Sequence, residues 1–238
     1  LFEYMSMQRK KEESPLAVRM RPKNLDEVVG QQHIIGKDKL LYRAIKADKI
    51  SSLIFYGPPG TGKTTLAKVI ANTTSADFVQ MNATTSGKKD MEQAVSQAKD
   101  AFGMYGKKTI LFIDEIHRFN KAQQDYLLPF VEDGTVILIG ATTENPYFEV
   151  NSALLSRSQI FHLEPLSQKD ICKLVKTAVE DNERGMGAYG AEITEEAAQF
   201  IAQMAGGDAR RALNAVELGI LTTEPDESLA ITPLSHNH

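Results

Sequence analysis

A glycine-rich segment that ends in Lys63 and Thr64 carries the clearest chemical signal in the sequence. It fits the pattern G-x-x-x-x-G-K-[ST], follows an apolar run that predicts a strand, and precedes a stretch with helical spacing. In that context backbone N–H groups converge on phosphate oxygens, the lysine neutralises the β- and γ-phosphates, and the threonine hydroxyl completes the shell of Mg²⁺. A glycine-rich turn that only joins a strand to a helix is the alternative. The expected nucleotide contacts are Gly57, Pro58, Pro59, Gly60, Thr61, Gly62, Lys63, Thr64 and Thr65.

Two carboxylates, Asp114 and Glu115, follow a second apolar run. We expect Asp114 to hold Mg²⁺ through a water molecule, and Glu115 to orient and deprotonate the water that attacks the γ-phosphate. An acidic pair at a strand end is weak evidence alone, because any parallel strand can end in Asp. Together with the phosphate loop, the pair predicts hydrolysis of a nucleotide by water.

A third apolar run, from Val136 to Ile139, leads to Thr142 and Thr143. A threonine hydroxyl at the end of this strand can contact the attacking water or the γ-phosphate. Threonine is also a common strand residue, so a purely structural role is the alternative.

The overall charge limits how the chain can bind nucleic acid. The 238 residues include 27 lysines and arginines against 31 aspartates and glutamates, a formal charge of −4. DNA binding through overall charge is therefore not expected, and any such binding needs a local basic patch.

The composition, with 42% hydrophobic and 24% charged residues, is typical of a globular protein. The apolar runs are shorter than the ~20 residues that span a bilayer, and the start lacks an export pattern, so a cytoplasmic protein is expected. Cys172 is the only cysteine, which excludes an internal disulfide and a multi-cysteine zinc site. We expect it to be a small buried residue on a helix.

Short apolar runs alternate with helical stretches between Ser52 and His162. This order predicts a parallel sheet with helices on both faces, in a nucleotide-binding domain over residues 15–164. The predicted strands are 52–56, 77–81, 109–113, 135–140 and 160–163, and the predicted helices are 63–75, 87–103 and 121–133.

The pattern changes after Pro165, where helical spacing continues without strands. Helices are predicted over 167–182, after a Thr194 cap, and from an Asp208 cap to about Leu221. These predict a small all-helical domain over residues 165–234. Residues 1–14 are expected to form a mobile leader, and residues 235–238 resemble the start of a purification tag.

These motifs resemble those of the AAA+ ATPases of the clamp-loader clade, and most of all the replication-associated recombination protein A family, also called MgsA, which includes the eukaryotic Werner-helicase-interacting ATPase. The resemblance extends from Pro15 to about Glu227 and is densest over residues 20–36, 57–67, 109–134, 140–161 and 206–217. It implies an α/β P-loop NTPase fold with five parallel strands, a helical lid, and ATP with Mg²⁺ as ligands. Proteins of the family continue beyond the lid with regions that build the oligomer, so the chain resembles an ATPase core and a homo-oligomer is expected for the full-length protein.

The resemblance also implies roles for single residues. Thr143 is similar to sensor 1, with Thr142 as the alternative. Arg157 is similar to the arginine finger that enters a neighbouring subunit's site, whereas on its own it would be interpreted as a cation at a helix C-terminus. Arg210 is similar to sensor 2 of the lid, and Arg211 is the neighbour most easily confused with it.

Two further positions take their meaning from the same resemblance. Asn82 resembles the polar residue that in relatives can hold the catalytic glutamate away until a ligand binds, although it could also be a simple turn residue. Val28, Val29 and Gly30 resemble the segment that encloses adenine.

Basic residues follow two of the predicted strands. Lys88 and Lys89 lie after a strand-to-helix loop, and His117, Arg118 and Lys121 follow the acidic pair. On the face that clamp-loader relatives turn toward DNA, we expect Lys88, Lys89, Arg118 and Lys121 to contact phosphates. A solvated surface is the alternative for each.

These features together predict a Mg²⁺-dependent ATP hydrolase that acts on DNA in replication-fork maintenance, recombination or repair. The alternatives are a nucleotide-dependent scaffold or loader that remodels another replication protein and, more distantly, a P-loop phosphotransferase. Expected partners are forked, gapped or end-containing DNA, and replication or single-strand-binding proteins, in the bacterial cytoplasm or nucleoid, with no membrane.

Overall fold

The computed structural model describes residues 2–6, 14–224 and 230–231. The chain divides into two compact units. The sheet unit is Pro22–Glu164, and the helical unit combines Leu1–Arg21 with Pro165–His238. No helix among the described residues is long and apolar enough to cross a membrane.

The sheet unit is built on a parallel five-stranded sheet with the order β2-β3-β4-β1-β5. The central strands are almost entirely apolar because helices cover both faces of the sheet. This confirms the predicted parallel sheet. The strands are β1 (Leu53–Tyr56), β2 (Asp77–Asn82), β3 (Thr109–Asp114), β4 (Ile137–Thr142) and β5 (Gln159–His162).

The fourth strand begins and ends later than the predicted 135–140. Asp133 Oδ1 accepts hydrogen bonds from the Thr135 N–H at 2.8 Å and the Thr135 hydroxyl at 2.6 Å, which keeps Thr135 in a turn. At the other end, Thr142 pairs with Tyr56 of β1 and stays in the sheet. The polar end of this strand is therefore itself part of the sheet.

Helices of the sheet unit follow the strands as predicted, and their ends are set by local caps. The side chain of Asn120 accepts the Gln123 N–H, and the Gln123 side chain accepts the Asn120 N–H, which fixes the start of α7. Short 3-10 turns lie at Leu25–Glu27 and Ile116–Arg118. The α-helices are α3 (Gln32–Ile35), α4 (Leu40–Lys46), α5 (Lys63–Thr74), α6 (Lys88–Tyr105), α7 (Lys121–Glu132), α8 (Pro146–Glu149) and α9 (Ser152–Ser156).

Alternate side chains of β3 enter two different cores. Ile110 and Phe112 pack on the face covered by α4 and α5, whereas Leu111 and Ile113 pack on the face covered by α6 and α7. This alternation is what a strand buried on both sides requires. The sheet thereby holds the loops at its edges in a fixed frame.

The helical unit has its own apolar core, formed mainly by three amphipathic helices. Each begins at the cap predicted from the sequence: Ser167, Thr194 and Asp208 accept backbone N–H groups of the first helical turn. Cys172 is partly buried against this core. The helices of this unit are α1 (residues 2–6), α2 (Leu16–Arg19), α10 (Gln168–Glu180), α11 (Glu195–Ala205) and α12 (Ala209–Thr222), with a 3-10 turn at Gly187–Tyr189.

The prediction of an all-helical second domain is wrong in one detail. Residues Glu192–Ile193 (β6) pair in parallel with Ala230–Ile231 (β7). The Thr194 cap has an extended backbone, and the two residues before it use the same extended conformation to pair.

The start of the chain also differs from prediction. The nucleotide-binding domain was expected to begin at residue 15, but the residues before Pro22, which include α2, belong to the helical unit. The Leu16 side chain is buried in that unit's core, and its N–H donates to Glu217 Oε2 at 2.8 Å. Of the predicted leader, only residues 2–6 and 14 lie among the described residues, and the predicted tag at 235–238 lies outside them.

Candidate functional site

The predicted phosphate loop connects β1 to α5, and two of its glycines are required by geometry. Gly57 has φ +155°, and a Cβ there would lie 2.3 Å from the Leu163 carbonyl oxygen. Gly62, the residue before α5, has φ +91° with open space around it. A side chain at Gly57 would displace the backbone, and a side chain at Gly62 would strain it. The loop backbone can therefore pass close to β5 and then turn into the helix.

Lys63 is the buried charge of this loop. Its Nζ donates to the carbonyl oxygens of Gly57 at 2.7 Å and Pro58 at 2.9 Å. Burial lowers the pKa of Lys63, while the negative charges of Asp114 and Glu115 act in the opposite direction. The charges of both carboxylates, at the carboxyl end of β3, thus reach the Lys63 ammonium beyond the end of β1. Thr64 and Thr65 follow, half-buried, in the first turn of α5.

The acidic pair is held by an unusual backbone. Asp114 ends β3, and its Oδ1 accepts the Glu115 N–H at 3.0 Å. Glu115 has φ +54°, a left-handed conformation that costs a non-glycine residue of order 1 kcal/mol. Such strain is often found at functional sites because the surrounding structure maintains it. Asp114 is the last residue with the extended backbone of β3, and the left-handed backbone of Glu115 ends the strand.

His117 connects the acidic pair to the end of β4. Its Nε2 lies 3.3 Å from Glu115 Oε2, and its Nδ1 lies 2.7 Å from Thr142 Oγ1. The His117 side chain is only 8% exposed. Its sequence position suggested a basic face shared with Arg118 and Lys121, but the structure turns His117 inward. The sequence around Asp114 and Glu115 does not predict the contact of His117 with Thr142, because Thr142 lies on the neighbouring strand β4.

The two threonines at the end of β4 have different surroundings. Thr142 is fully buried, and its hydroxyl oxygen accepts the Glu144 N–H at 3.0 Å in addition to contacting His117. Thr143 is exposed. Only Thr143 therefore presents its side chain to solvent.

Asn82 lies beside Asp114 in the sheet, at the end of β2. Its side-chain oxygen accepts the N–H of Thr84 at 2.9 Å and the Thr84 hydroxyl at 2.6 Å. This is the local turn interaction that short polar side chains form with the backbone that follows. The side chain in contact with Glu115 is His117, whereas Asn82 forms the turn interaction, and its role toward the glutamate stays a prediction.

Val28, Val29 and Gly30 are half-buried, and Gln31 after them is a buried residue that the sequence did not single out. The Gln31 side chain donates to the Thr61 carbonyl at 3.2 Å and to the Glu164 carbonyl at 2.7 Å, and accepts the Glu164 N–H at 3.0 Å. It thus ties this segment to the phosphate loop. A buried glutamine of this kind can be found only once the fold is known.

Arg157 lies at the opposite edge of the sheet from the phosphate loop. It ends α9 just before β5, whose first residue Gln159 pairs with Leu53, whereas the loop begins after Tyr56. Its Nε lies 2.8 Å from Glu132 Oε1, and its guanidinium also donates to the Ala153 carbonyl at 3.2 Å. Arg157 lies near the start of β1, and the phosphate loop follows the end of β1, so the length of this strand lies between them. Arg157 therefore does not share a site with the phosphate loop of its own chain.

Arg210 and Arg211 lie in the first turn of α12, in the helical unit. Their backbone N–H groups donate to Asp208 Oδ1 at 2.9 and 3.3 Å, and both residues are exposed. The cap fixes where this helix begins. Both side chains start from a rigid position at a helix N-terminus.

The residues expected to contact DNA are all exposed and follow the carboxyl ends of β2 and β3. Lys88 begins α6, with its side chain 69% exposed and its Nζ 5.9 Å from the centre of the Tyr126 ring of α7. Its contact with Glu92 is long, at 4.0 Å. The other exposed basic residues are Lys89, Arg118 and Lys121. The structure therefore groups these residues at one edge of the sheet.

Comparisons with known proteins agree with this geometry. Residues 53–166 match the family described as AAA, "ATPase family associated with various cellular activities". The chain is 50% identical to replication-associated recombination protein A of Escherichia coli K12 over 214 residues, which are 90% of this chain and 48% of that protein. It is 48% identical to the Bacillus subtilis protein of the same name, over 88% of this chain and 49% of that one.

A solved structure provides the same fold. The RuvB Holliday junction branch migration motor of Thermotoga maritima superposes with a TM-score of 0.66 and 30% identity, covering 84% of this chain and 64% of that one. The chain spans about half the length of the curated relatives it matches. The sequence similarity and the P-loop architecture agree, and residues 53–166 form an AAA ATPase domain.

Proposed function

We propose that this chain is the ATP-hydrolysing core of a protein that acts on DNA during replication-associated recombination. The observation that carries the proposal is the placement of Asp114 and Glu115 at the carboxyl end of β3 and of the buried Lys63 after β1, where the two negative charges act on the lysine. A buried lysine with two carboxylates beside a glycine-rich loop is suited to a phosphate–magnesium substrate. The names of the relatives, which concern replication, recombination and branch migration, support the DNA task.

ATP fits the loop and the segment beside it. The proposed phosphate contacts are the loop residues 57–65, where the turn at Gly62 leads backbone N–H groups into the N-terminus of the 12-residue helix α5. Val28, Val29 and Gly30 are proposed to enclose adenine, held in place by the hydrogen bonds of Gln31 to Thr61 and Glu164.

Mg²⁺ fits the oxygen ligands available beside the loop. Thr64 would bind it through its hydroxyl and Asp114 through water, and hydroxyl, carboxylate and water oxygens suit this ion. When bound with ATP, Mg²⁺ neutralises negative charge on the β- and γ-phosphates.

Hydrolysis is assigned to residues at the same edge. Glu115 orients the attacking water and takes its proton, while Lys63 stabilises the charge of the phosphates. Thr143 is proposed as the hydroxyl that senses the γ-phosphate, because Thr142 is buried and engaged by His117 and Glu144. Arg210 is proposed as sensor 2, the role that the family resemblance implies.

Arg157 is proposed to complete the site of a neighbouring copy. It lies at the amino edge of the sheet, whereas Lys63 and Glu115 lie at the carboxyl edge, so one copy supplies the arginine and the next supplies the phosphate loop. Such head-to-tail contacts close into rings when the rotation between copies permits. We therefore propose a homo-oligomer for the full-length protein, with the arginine stabilising charge in the transition state.

DNA is proposed to bind at Lys88, Lys89, Arg118 and Lys121, the exposed basic residues after β2 and β3. A chain with a formal charge of −4 must concentrate its positive charge locally to bind DNA. Work on replicating DNA would place the protein in the bacterial cytoplasm or nucleoid. Replication or single-strand-binding proteins are further proposed partners.

The test is the ATPase rate of the full-length protein with and without duplex ends, forks and gapped DNA. We expect release of free phosphate that is faster with at least one of these DNA structures. Transfer of phosphate to another molecule, or no turnover with any DNA, would contradict the proposal.

A further inference from the structure

A chain of contacts leads from Glu115 to the backbone after β4. The Glu144 N–H donates to Thr142 Oγ1 at 3.0 Å, Thr142 Oγ1 lies 2.7 Å from His117 Nδ1, and His117 Nε2 lies 3.3 Å from Glu115 Oε2. The middle of this chain is enclosed, with Thr142 fully buried and the His117 side chain 8% exposed. Contacts in such an environment are worth more than the same contacts in water.

One proton arrangement gives the Thr142 hydroxyl an acceptor and places an imidazole N–H beside the Glu115 carboxylate. Thr142 Oγ1 already accepts from Glu144, so its own hydroxyl proton is available to His117 Nδ1. The neutral imidazole then carries its proton on Nε2, the nitrogen beside the Glu115 carboxylate. In this arrangement, Thr142 favours the tautomer whose N–H faces Glu115.

Among the residues that the structure describes, the other contacts of Glu115 do not hold its carboxylate. Its left-handed backbone is fixed by the N–H bond to Asp114, which holds the main chain and not the carboxylate. The Asn82 side-chain oxygen is engaged by Thr84. Lys63 attracts Glu115, but its Nζ is bonded to the carbonyls of Gly57 and Pro58.

We propose that His117 is a positioning residue that holds the Glu115 carboxylate in place for water activation, and that Thr142 fixes the imidazole for this task. This inference rests on the proposed function, in which Glu115 activates the water. It gives the buried threonine of β4 a role distinct from that of the exposed Thr143. The pairing of Thr142 with Tyr56 in the sheet fixes the position of this series of contacts.

The histidine can be tested with two amides that each replace one ring nitrogen. In His117→Gln the amide nitrogen can occupy the place of Nε2 beside Glu115, whereas in His117→Asn it can reach only the place of Nδ1. We expect His117→Asn to lower kcat by about 10²-fold with the Kd for ATP unchanged, because a displacement of about 1 Å at a reacting group costs that much. His117→Gln should recover most of the rate. Both variants are measured in the full-length protein, with thermal unfolding as the check on folding.

Variants of Thr142 provide a second test. Thr142→Val should lower kcat by about tenfold, and Thr142→Ser, which keeps the hydroxyl, should lose much less. The double variant His117→Asn with Thr142→Val should be no slower than His117→Asn alone, because residues that act in one chain are not additive. Independent, multiplying losses would overturn the inference.

The remaining outcomes separate this inference from the function on which it rests. Wild-type or raised kcat in His117→Asn, while Glu115→Gln is inactive, would overturn the positioning role alone. Equal losses of rate and stability in His117→Asn and His117→Gln would do the same, since they would indicate a structural residue. A Glu115→Gln variant that hydrolyses ATP at the wild-type rate would overturn both.

Discussion

The two edges of the central sheet hold their charged groups in different ways. At the carboxyl edge, Lys63 is buried against loop carbonyls, and Glu115 is linked through His117 to the buried Thr142. At the amino edge, Arg157 and Glu132 form an ion pair with both side chains nearly half exposed. The first edge is preorganised within one chain, whereas the second presents an arginine that another molecule can reach. The proposed ATP site joins the two edges from different copies.

The largest effect is expected at the carboxyl edge. Glu115→Gln should lower the ATPase rate by ~10³-fold and leave ATP binding intact, because the carboxylate acts on the water in the transition state. Lys63→Ala should instead abolish tight binding, since the lysine also stabilises the bound phosphates. Binding measured with a fluorescent ATP analogue, beside steady-state turnover, distinguishes the two. Equal loss of affinity in both variants would show that the roles are wrongly assigned.

The next largest effect is expected on the free energy of unfolding, when one glycine at each edge is replaced by alanine. Gly57→Ala brings a Cβ to within 2.3 Å of the Leu163 carbonyl oxygen and should lower the free energy of unfolding by about 3 kcal/mol. Gly134→Ala, at φ +78° in open space near the amino edge, should cost only about 1 kcal/mol. Urea unfolding measures both. A Gly57→Ala protein as stable as the Gly134→Ala protein would contradict the close packing of the loop on β5.

The smallest effect concerns salt dependence and has a matched control at the other edge. Lys88→Ala with Lys89→Ala should weaken DNA binding by the full-length protein and flatten the log–log salt slope by ~0.9 for each DNA phosphate that these lysines no longer neutralise. Lys107→Ala with Lys108→Ala removes two adjacent lysines that pair with Asp77 and Asp48 near the amino ends of β2 and β1. This control should leave the slope unchanged. Equal slopes in the two double variants would remove Lys88 and Lys89 from the interface.

Much of the fold could be predicted because its signals are local. Apolar runs, turn residues and caps such as Ser167 and Asp208 act within a few residues, and they located the strands and the main helices closely. The errors arose where pairing between distant segments decided the outcome, as for Thr142, which stays in the sheet beside Tyr56. The short β6–β7 pair and the assignment of α2 to the helical unit have the same origin.

The candidate site likewise has features that the sequence predicts and contacts that only the fold reveals. The types and order of Lys63, Asp114 and Glu115 follow from a contiguous motif and its strand context. The partners of these residues do not, because Gln31 reaches Glu164 and His117 reaches Thr142 across the folded sheet. The ion pair of Arg157 with Glu132 likewise joins segments that only the fold brings together.

Mixing two inactive variants of the full-length protein tests most directly whether the site joins two copies. Arg157→Ala and Glu115→Gln should each be nearly inactive as pure oligomers, since an arginine of this kind is worth ~10³ or more in rate. After subunit exchange, some interfaces join an intact Glu115 to an intact Arg157, so the mixture should regain activity that depends on the mixing ratio and disappears when the oligomer dissociates. If exchange is verified and the mixture is no more active than the average of the two pure variants, Arg157 does not act on a neighbouring copy.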